Sequence, residues 1–567
     1  MSHRSSTLSG RRNGHEPGMG RARTAMTLAA ALILAAAGPW QATRAADAAP
    51  CDPYKNFSCQ EEYLGTGFWN RLINYYSLEW GQAVAPTDPK APSSRRDYWP
   101  ATPMATPPMP FTEWPYGGTT PLGVTRPNSI DSPLMAAIAD TSVGKWMGDN
   151  NFQLYGWVDV GANISSSATK PGGNSPAAYL YTPNTFQLDQ FVLYFDRFPD
   201  TVQKDHIDWG MRLSAIYGEN YRYTTAYGLA SYQFLHDNKV NGYDFPMLYA
   251  EVFIPQVMEG LMIRAGRYIS LPDIEAQLAP NNYMYSHSMT YTYDNYTNTG
   301  IQTTLAVDKQ WMVQVGVGNG TEASFQHLRA RIPNPVPNAL YPGTSFKQDP
   351  GSMPTYTFCL RWDSVNGDDD VNACANDINT GEWGYNNLQW YGFTAYHKWN
   401  DKWHISYELY HESQRNVPNL NNTYVQNLNN LYGTDGGTPF SFAASGITAN
   451  APGEAVCSNP NVLKCTAGSY GTTFYLNYSP DALNNFSLRP EFYWDPQGQR
   501  TGTAARYGNL AIGWQHWWSP QLEARPEVGY YHSFNAPAFN GNPNDTVHFP
   551  ANKSNQVIVS GDLILHF

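Results

Sequence analysis

The sequence predicts an all-β fold: a transmembrane antiparallel up-and-down β-barrel of about sixteen strands. Three observations predict it. The chain ends in a strand with one apolar and one largely polar face. Its connections alternate between short and long. Its tryptophans gather beside the short ones.

The terminal strand covers residues 556–567. Val557, Val559, Gly561, Leu563, Leu565 and Phe567 fall on one face; Gln556, Ser560, Asp562 and His566 fall on the other, with Ile558 and Ile564 among them. Side chains alternate across a strand, so this period of two reads as one strand between an apolar and a polar medium. Its dozen residues slightly exceed the ~9–11 that a tilted strand needs to cross a bilayer. Taken alone, the stretch also fits the last strand of a soluble sandwich, and the rest of the chain decides between the two.

Composition favours the barrel. Charged residues make up 14% and aromatics 14% of the 567 residues, yet mean hydropathy is negative at −0.48. Tyrosine, tryptophan, asparagine, glycine and threonine supply the polarity, as expected of a wall with lipid on one side and water on the other. The net charge of −12 argues against a nucleic-acid partner, which requires a basic face.

Residues 1–45 read as a cleaved signal peptide. Arg21 and Arg23 precede an apolar run at 25–38, small residues follow, and the run is too short to span a membrane as a helix. Residues 46–150 differ from all that follows. Prolines such as Pro86, Pro100, Pro107, Pro108 and Pro121 interrupt any long element, leaving room for short helices near 61–80 and 132–147. This region is an extended periplasmic arm, a plug within the lumen, or an attachment to the cell wall or a partner.

From residue 152 the texture becomes one of strands. The first two run over 152–164 and 186–197. In the third, at 206–218, Ile207, Trp209, Met211, Leu213, Ala215 and Tyr217 share a face. Strands at 248–254 and 261–269 follow. The hairpin around Asp308-Lys309-Gln310 pairs Leu305 with Val313 and Thr303 with Val315, which puts both apolar faces on the same side. Asn366-Gly367 is a strong hairpin signal that sets Cys359 opposite Cys374. A two-residue turn there would place the cysteines at a hydrogen-bonded site, where side chains stand farther apart, so an irregular loop is expected. Strands at 388–399, 402–413, 470–479, 486–495, 506–517, 521–533 and the terminal one complete the set. Short connections such as 308–310 and 400–402 on one rim face long ones such as 270–297 and 414–469 on the other, and no soluble sandwich requires that asymmetry. Trp311, Trp399, Trp403, Trp517 and Trp518 lie near short turns, where an interfacial girdle belongs.

From residue 150 onward the chain resembles the OmpL-like β-barrel porin family. The likeness rests on Tyr155-Gly156-Trp157-Val158-Asp159, Ile263-Arg264-Ala265-Gly266-Arg267-Tyr268, Asn298-Thr299-Gly300, Gly318-Asn319-Gly320 and Arg489-Pro490-Glu491 with Asp495, in that order and spacing. The resemblance implies a pore in the outer membrane of a Gram-negative-type cell that passes ions and small hydrophilic solutes. The terminal Phe567 resembles the assembly signal of bacterial outer-membrane barrels, which implies the barrel-assembly machinery and outer-membrane lipid as partners. Trimers are common among sixteen-stranded porins, so analogy extends to a homo-oligomer. The proline-rich arm and the cysteine pairs depart from the family pattern, and they leave a structural or adhesive barrel with an occluded lumen as the alternative.

A pore needs charge where water replaces lipid. The polar faces supply Asp208, Arg212, Glu251, Arg264, Glu408, Arg489, Glu491, Arg525, Glu527 and Asp562 as candidate pore-lining residues. Glu251 and Arg264 sit symmetrically about a turn and are placed to pair. The repeat Arg489-Pro490-Glu491 and Arg525-Pro526-Glu527 either sets up a transverse field in the lumen or neutralises itself within the wall. The tyrosine- and asparagine-rich connection at 271–297 either folds into the lumen or lies on the surface. Asp562, facing the lumen, is expected to tolerate replacement by asparagine. Cys51 with Cys59, Cys359 with Cys374 and Cys457 with Cys465 form three local pairs, expected as disulfides in an exported chain. No HExxH, GxSxG or P-loop pattern is present, so no catalytic residue is expected. No metal or cofactor site is legible: Asp368-Asp369-Asp370 lacks the spacing of a calcium loop, and no CxxC suggests zinc.

Overall fold

The computed structural model describes residues 60–79 and 132–567, apart from internal breaks of which 325–352 and 433–453 are the longest. The signal-peptide region, the Cys51–Cys59 pair and most of the proline-rich stretch lie outside the described residues.

Eighteen antiparallel segments form one closed sheet, and two of them resume a strand interrupted by a proline. Pro246 and Pro526 lack the N–H that the ladder requires, so pairing stops there and restarts on the same neighbours. The barrel therefore has sixteen staves. They are β1 (Phe152–Ser165), β2 (Phe186–Arg197), β3 (Asp208–Gly218), β4 (Gly242–Asp244, resumed at Leu248–Ile254), β5 (Gly260–Ile269), β6 (Thr297–Ala306), β7 (Trp311–Gly318) and β8 (Thr355–Asp363). Then come β9 (Asp369–Ile378), β10 (Leu388–Lys398), β11 (Trp403–Pro418), β12 (Lys464–Asp481), β13 (Asn484–Asp495), β14 (Ala505–Ser519), β15 (Leu522–Ala524, resumed at Glu527–Ser533) and β16 (Asn555–His566). The register expected for the 308–310 hairpin is the one observed, with Leu305 opposite Val313 and Thr303 opposite Val315.

Closure falls between β1 and β16, from Trp157 opposite His566 to Ser165 opposite Ile558. Phe567 extends the seam by one residue. Its N–H donates to the Gly156 carbonyl at 2.8 Å, and the Gly156 N–H donates back at 2.9 Å. An added Cβ at Gly156 would lie 2.8 Å from the Phe567 ring and 2.1 Å from the Val192 carbonyl oxygen, so only glycine fits beneath the terminal aromatic. Facing follows the predicted alternation. Gln556, Ile558, Ser560, Asp562 and Ile564 are buried, whereas Val557 and Val559 are exposed.

One expectation needs correction, and another takes a definite form. Trp311, Trp399, Trp403 and Trp518 point outward, but Trp517 is buried and stacks on His566 at 5.6 Å. Neighbours on a strand take opposite faces, so Trp517 and Trp518 cannot share a girdle. At the Asn366-Gly367 turn, Ser364 N–H donates to the Asp369 carbonyl, which closes the hairpin one residue earlier than a two-residue turn would. The loop is irregular, and the shift moves Cys359 and Cys374 to a non-hydrogen-bonded site, the closer kind, with Cα atoms 4.1 Å apart and the side chains bridged. Cys457 and Cys465 form a second disulfide. Mass spectrometry of unreduced peptides should find both links. Replacing Cys359 and Cys374 by serine should cost about 3 kcal/mol, the value for a loop of some 15 residues; free thiols in the native protein would contradict the pairing.

Among the described residues, four short helices precede the barrel: α1 (Gln60–Leu64), α2 (Phe68–Glu79), α3 (Pro133–Ile138) and α4 (Ser142–Asp149). Each helix expected from the sequence is divided in two, the first at Gly65 and Gly67, which adopt positive φ. Ser132 caps α3 through Met135 N–H and donates to the Leu154 carbonyl. Arg71 donates to the Ala136 carbonyl at 2.7 Å, and the Tyr76 hydroxyl to the His566 carbonyl at 2.6 Å. The helices thus rest on the start of β1 and the end of β16, on the short-turn rim.

Candidate functional site

The barrel interior is organised by the connection between β5 and β6. From Asp273 to Asn295 every residue is buried, so this segment lies inside the barrel and not on its surface. Asn282 braces it from within: its amide donates to the carbonyls of Ala276 and Leu278 and accepts from Ala276 N–H. The segment touches walls nearly opposite in the ring. On β2, Gln190 donates to the Gln277 carbonyl at 2.9 Å, and Asp189 accepts from the Tyr285 hydroxyl at 2.8 Å. On β11, Glu408 accepts from Ile274 N–H at 3.0 Å, and the Tyr410 hydroxyl donates to the Thr290 carbonyl at 2.7 Å. A segment bonded to both β2 and β11 crosses the lumen and narrows it.

The ten candidate lining residues are all buried on the inner face of their strands, and they divide into two groups. Five hold the crossing segment, and a sixth, Asp562, pairs with one of them. Arg489 pairs with Glu275 at 3.0 Å and donates to the Ser286 hydroxyl at 2.8 Å. Glu491 accepts from the Thr290 hydroxyl at 2.8 Å and Glu527 from Ser286 N–H at 3.0 Å. Arg525 donates to the carbonyls of Ala279 and Asn282 while paired with Asp562, and Glu408 has been described. The Arg-Pro-Glu repeat therefore presents neither two free ladders nor a simple mutual neutralisation. Each arginine and glutamate grips the backbone or side chains of the segment, as charge-assisted bonds can in a low-dielectric interior.

The other four lie on β3 to β5. Glu251 and Arg264 are cross-strand partners 3.1 Å apart, with Arg264 over the Tyr249 ring. Arg212 meets Asp196 at 3.3 Å. Asp208 sits at the strand end, where it accepts from Arg197 and from Asp200 N–H, so it fixes a short turn and does not line the middle of the lumen.

Among the described residues, buried carboxylates far outnumber buried arginines, and no lysine is buried. The interior is thus acid-rich, although the sequence pools lumen and loop charges. Three interior carboxylates, Asp273, Asp294 and Glu408, come together across 135 residues of chain, a constellation that sequence spacing cannot reveal. Burial pushes the Asp273 carboxyl above its usual range, and burial reinforced by Asp273 does the same at Asp294. Burial likewise lowers the affinity of His287 for a proton, leaving its imidazole neutral and hydrogen-bonded to the Ala276 carbonyl.

A family model described as "Putative beta-barrel porin-2, OmpL-like" matches residues 151–567, the whole barrel. A comparison with curated proteins found no match. Among solved structures, the chain is similar to an anion-selective porin from Comamonas acidovorans at 8% identity and TM-score 0.42, covering 73% of this chain and 99% of that one. It is also similar to the outer-membrane channel DcaP of Acinetobacter baumannii at 9% identity and TM-score 0.41, covering 73% and 97%.

Proposed function

The chain belongs to the OmpL-like putative β-barrel porin family, and from that premise we propose that it is a porin-type channel of the outer membrane, passing ions and small hydrophilic solutes by passive diffusion. The observation that carries this reading is the division of the closed wall into an apolar outer and a charged inner face, with a structured segment set across the interior. A wall built only for stability has no use for buried charge, which is costly to desolvate and is replaced without loss by apolar packing in many proteins. In a conduit the same groups solvate a passing ion and set its sign. The excess of carboxylates supports a preference for cations.

A second reading, a structural or adhesive barrel with a closed lumen, draws support from the burial of every candidate lining residue. Planar bilayers separate the two. The purified chain should give discrete conductance steps, and under a potassium chloride gradient the reversal potential should take the sign of cation selectivity. Silence both with the full chain and with residues 46–150 removed would defeat the channel; steps that appear only after removal would make that region the closure.

A further inference from the structure

We infer that Asp273, Asp294 and Glu408 form a binding site for one divalent cation of the calcium class, which ties both ends of the lumen-crossing segment to β11. One carboxylate oxygen from each residue lies within 4.8 Å of the other two. Asp273 opens the segment, Asp294 stands near its close, and Glu408 belongs to the wall. All three are buried.

The hydrogen bonding leaves one oxygen on each residue over. Glu408 Oε2 accepts from Ile274 N–H, and Asp294 Oδ1 from Asn295 N–H. Among the described residues, no N–H or hydroxyl donates to Glu408 Oε1, Asp294 Oδ2 or Asp273 Oδ1, and Asp273 and Asp294 face each other closely enough to share a proton. Thr394, fully buried and directly across from Glu408 in the β10–β11 register, also has a hydroxyl oxygen without a partner. Among the described residues none of the three carboxylates forms an ion pair, whereas the nearby Glu412 is matched by Arg500 at 2.7 Å. Three carboxylates this close repel one another strongly at low dielectric unless positive charge lies between them.

The ligand chemistry selects the ion. Only carboxylate and hydroxyl oxygens are on offer, which suits a hard cation and not zinc or copper. Calcium–oxygen bonds of about 2.3–2.6 Å place ligands up to about 5 Å apart, whereas the shorter bonds of magnesium draw them closer. The competing arrangement is a proton shared between Asp273 and Asp294.

The site predicts a binding stoichiometry and a dependence of folding on the metal, both independent of whether the barrel conducts. The folded full chain, freed of lipopolysaccharide and stripped with a chelator, would be titrated with calcium by calorimetry, and its thermal unfolding followed with and without the ion. One calcium should bind per chain and raise the unfolding temperature. Asp294→Asn and Glu408→Gln should each weaken binding at least about tenfold while keeping the heat-modifiable migration of a folded barrel; Asp273→Asn serves should either fail to fold. Undiminished binding in the variants would assign the ion to the surface and overturn the site. Absence of binding to the native chain would leave the shared proton and overturn it equally.

Discussion

Arg525→Met should destabilise the folded barrel by about 3–5 kcal/mol, the range for breaking a buried ion pair from one side. Arg525 donates from Nε to Asp562 Oδ1 at 3.1 Å and from Nη1 to the Asn282 carbonyl at 2.9 Å. Without it, Asp562 stands beside Asp159 with its ion-pair partner gone, and the Ala279 and Asn282 carbonyls lose their donor. Asp562→Asn should fail for the complementary reason, because it strands the guanidinium. This reverses the tolerance expected from the sequence, which placed Asp562 correctly on the inner face but could not see that its partner stands on β15. Arg525→Met combined with Asp562→Leu should cost less than the sum of the single changes, since no charge then remains unpaired. Equilibrium unfolding in urea, followed by tryptophan fluorescence, measures all three. A loss below about 1 kcal/mol for Arg525→Met would mean that water reaches the pair and screens it.

Val559→Lys should cost about 2–4 kcal/mol, the value for a cation on the lipid face near the bilayer midplane. Val559 is exposed near the centre of β16. Leu563 shares that face but lies three residues from the strand's end at His566, so Leu563→Lys should cost less, its amine reaching the interface. Phe567→Ser should impair insertion beyond its own transfer energy, because Phe567 both closes the seam on Gly156 and covers it; an open seam leaves backbone groups unpaired in lipid. Heat-modifiable, membrane-inserted protein reports each outcome. Normal assembly of Val559→Lys would invert the facing of every stave.

The fold was legible because a barrel wall is a local problem. Alternation within β16, the 308–310 register and the short-to-long rhythm of connections each follow from residues close in sequence. Alternation is least informative where one residue decides parity, as at Ser364 and Asp369, and it puts the adjacent Trp517 and Trp518 on opposite surfaces, which proximity to a short turn alone does not. The interior was legible only as a list of charges. Periodicity gives the direction in which Arg489 and Glu491 point, but not that a segment 200 residues upstream receives them. The tyrosines and asparagines between Asp273 and Asn295 were the available signal, since polar aromatic side chains suit a segment packed among charges, and on that signal alone lumen and surface stayed equally open.

A channel narrowed by the segment between β5 and β6 should widen when that segment is shortened, and single-channel conductance measures the change. Residues 275–293 would be replaced by a short glycine–serine linker, with Arg489→Met, Glu491→Gln, Glu527→Gln and the double change Arg525→Met with Asp562→Leu, so that these anchors are not left as unpaired buried charges. The outer face and the backbone pairing of the staves are unchanged, so the barrel should still insert. Conductance steps should be several times larger than those of the full chain and depend less on the sign of the ion. Steps of unchanged size from an inserted barrel would place the constriction elsewhere and contradict a narrowing by this segment.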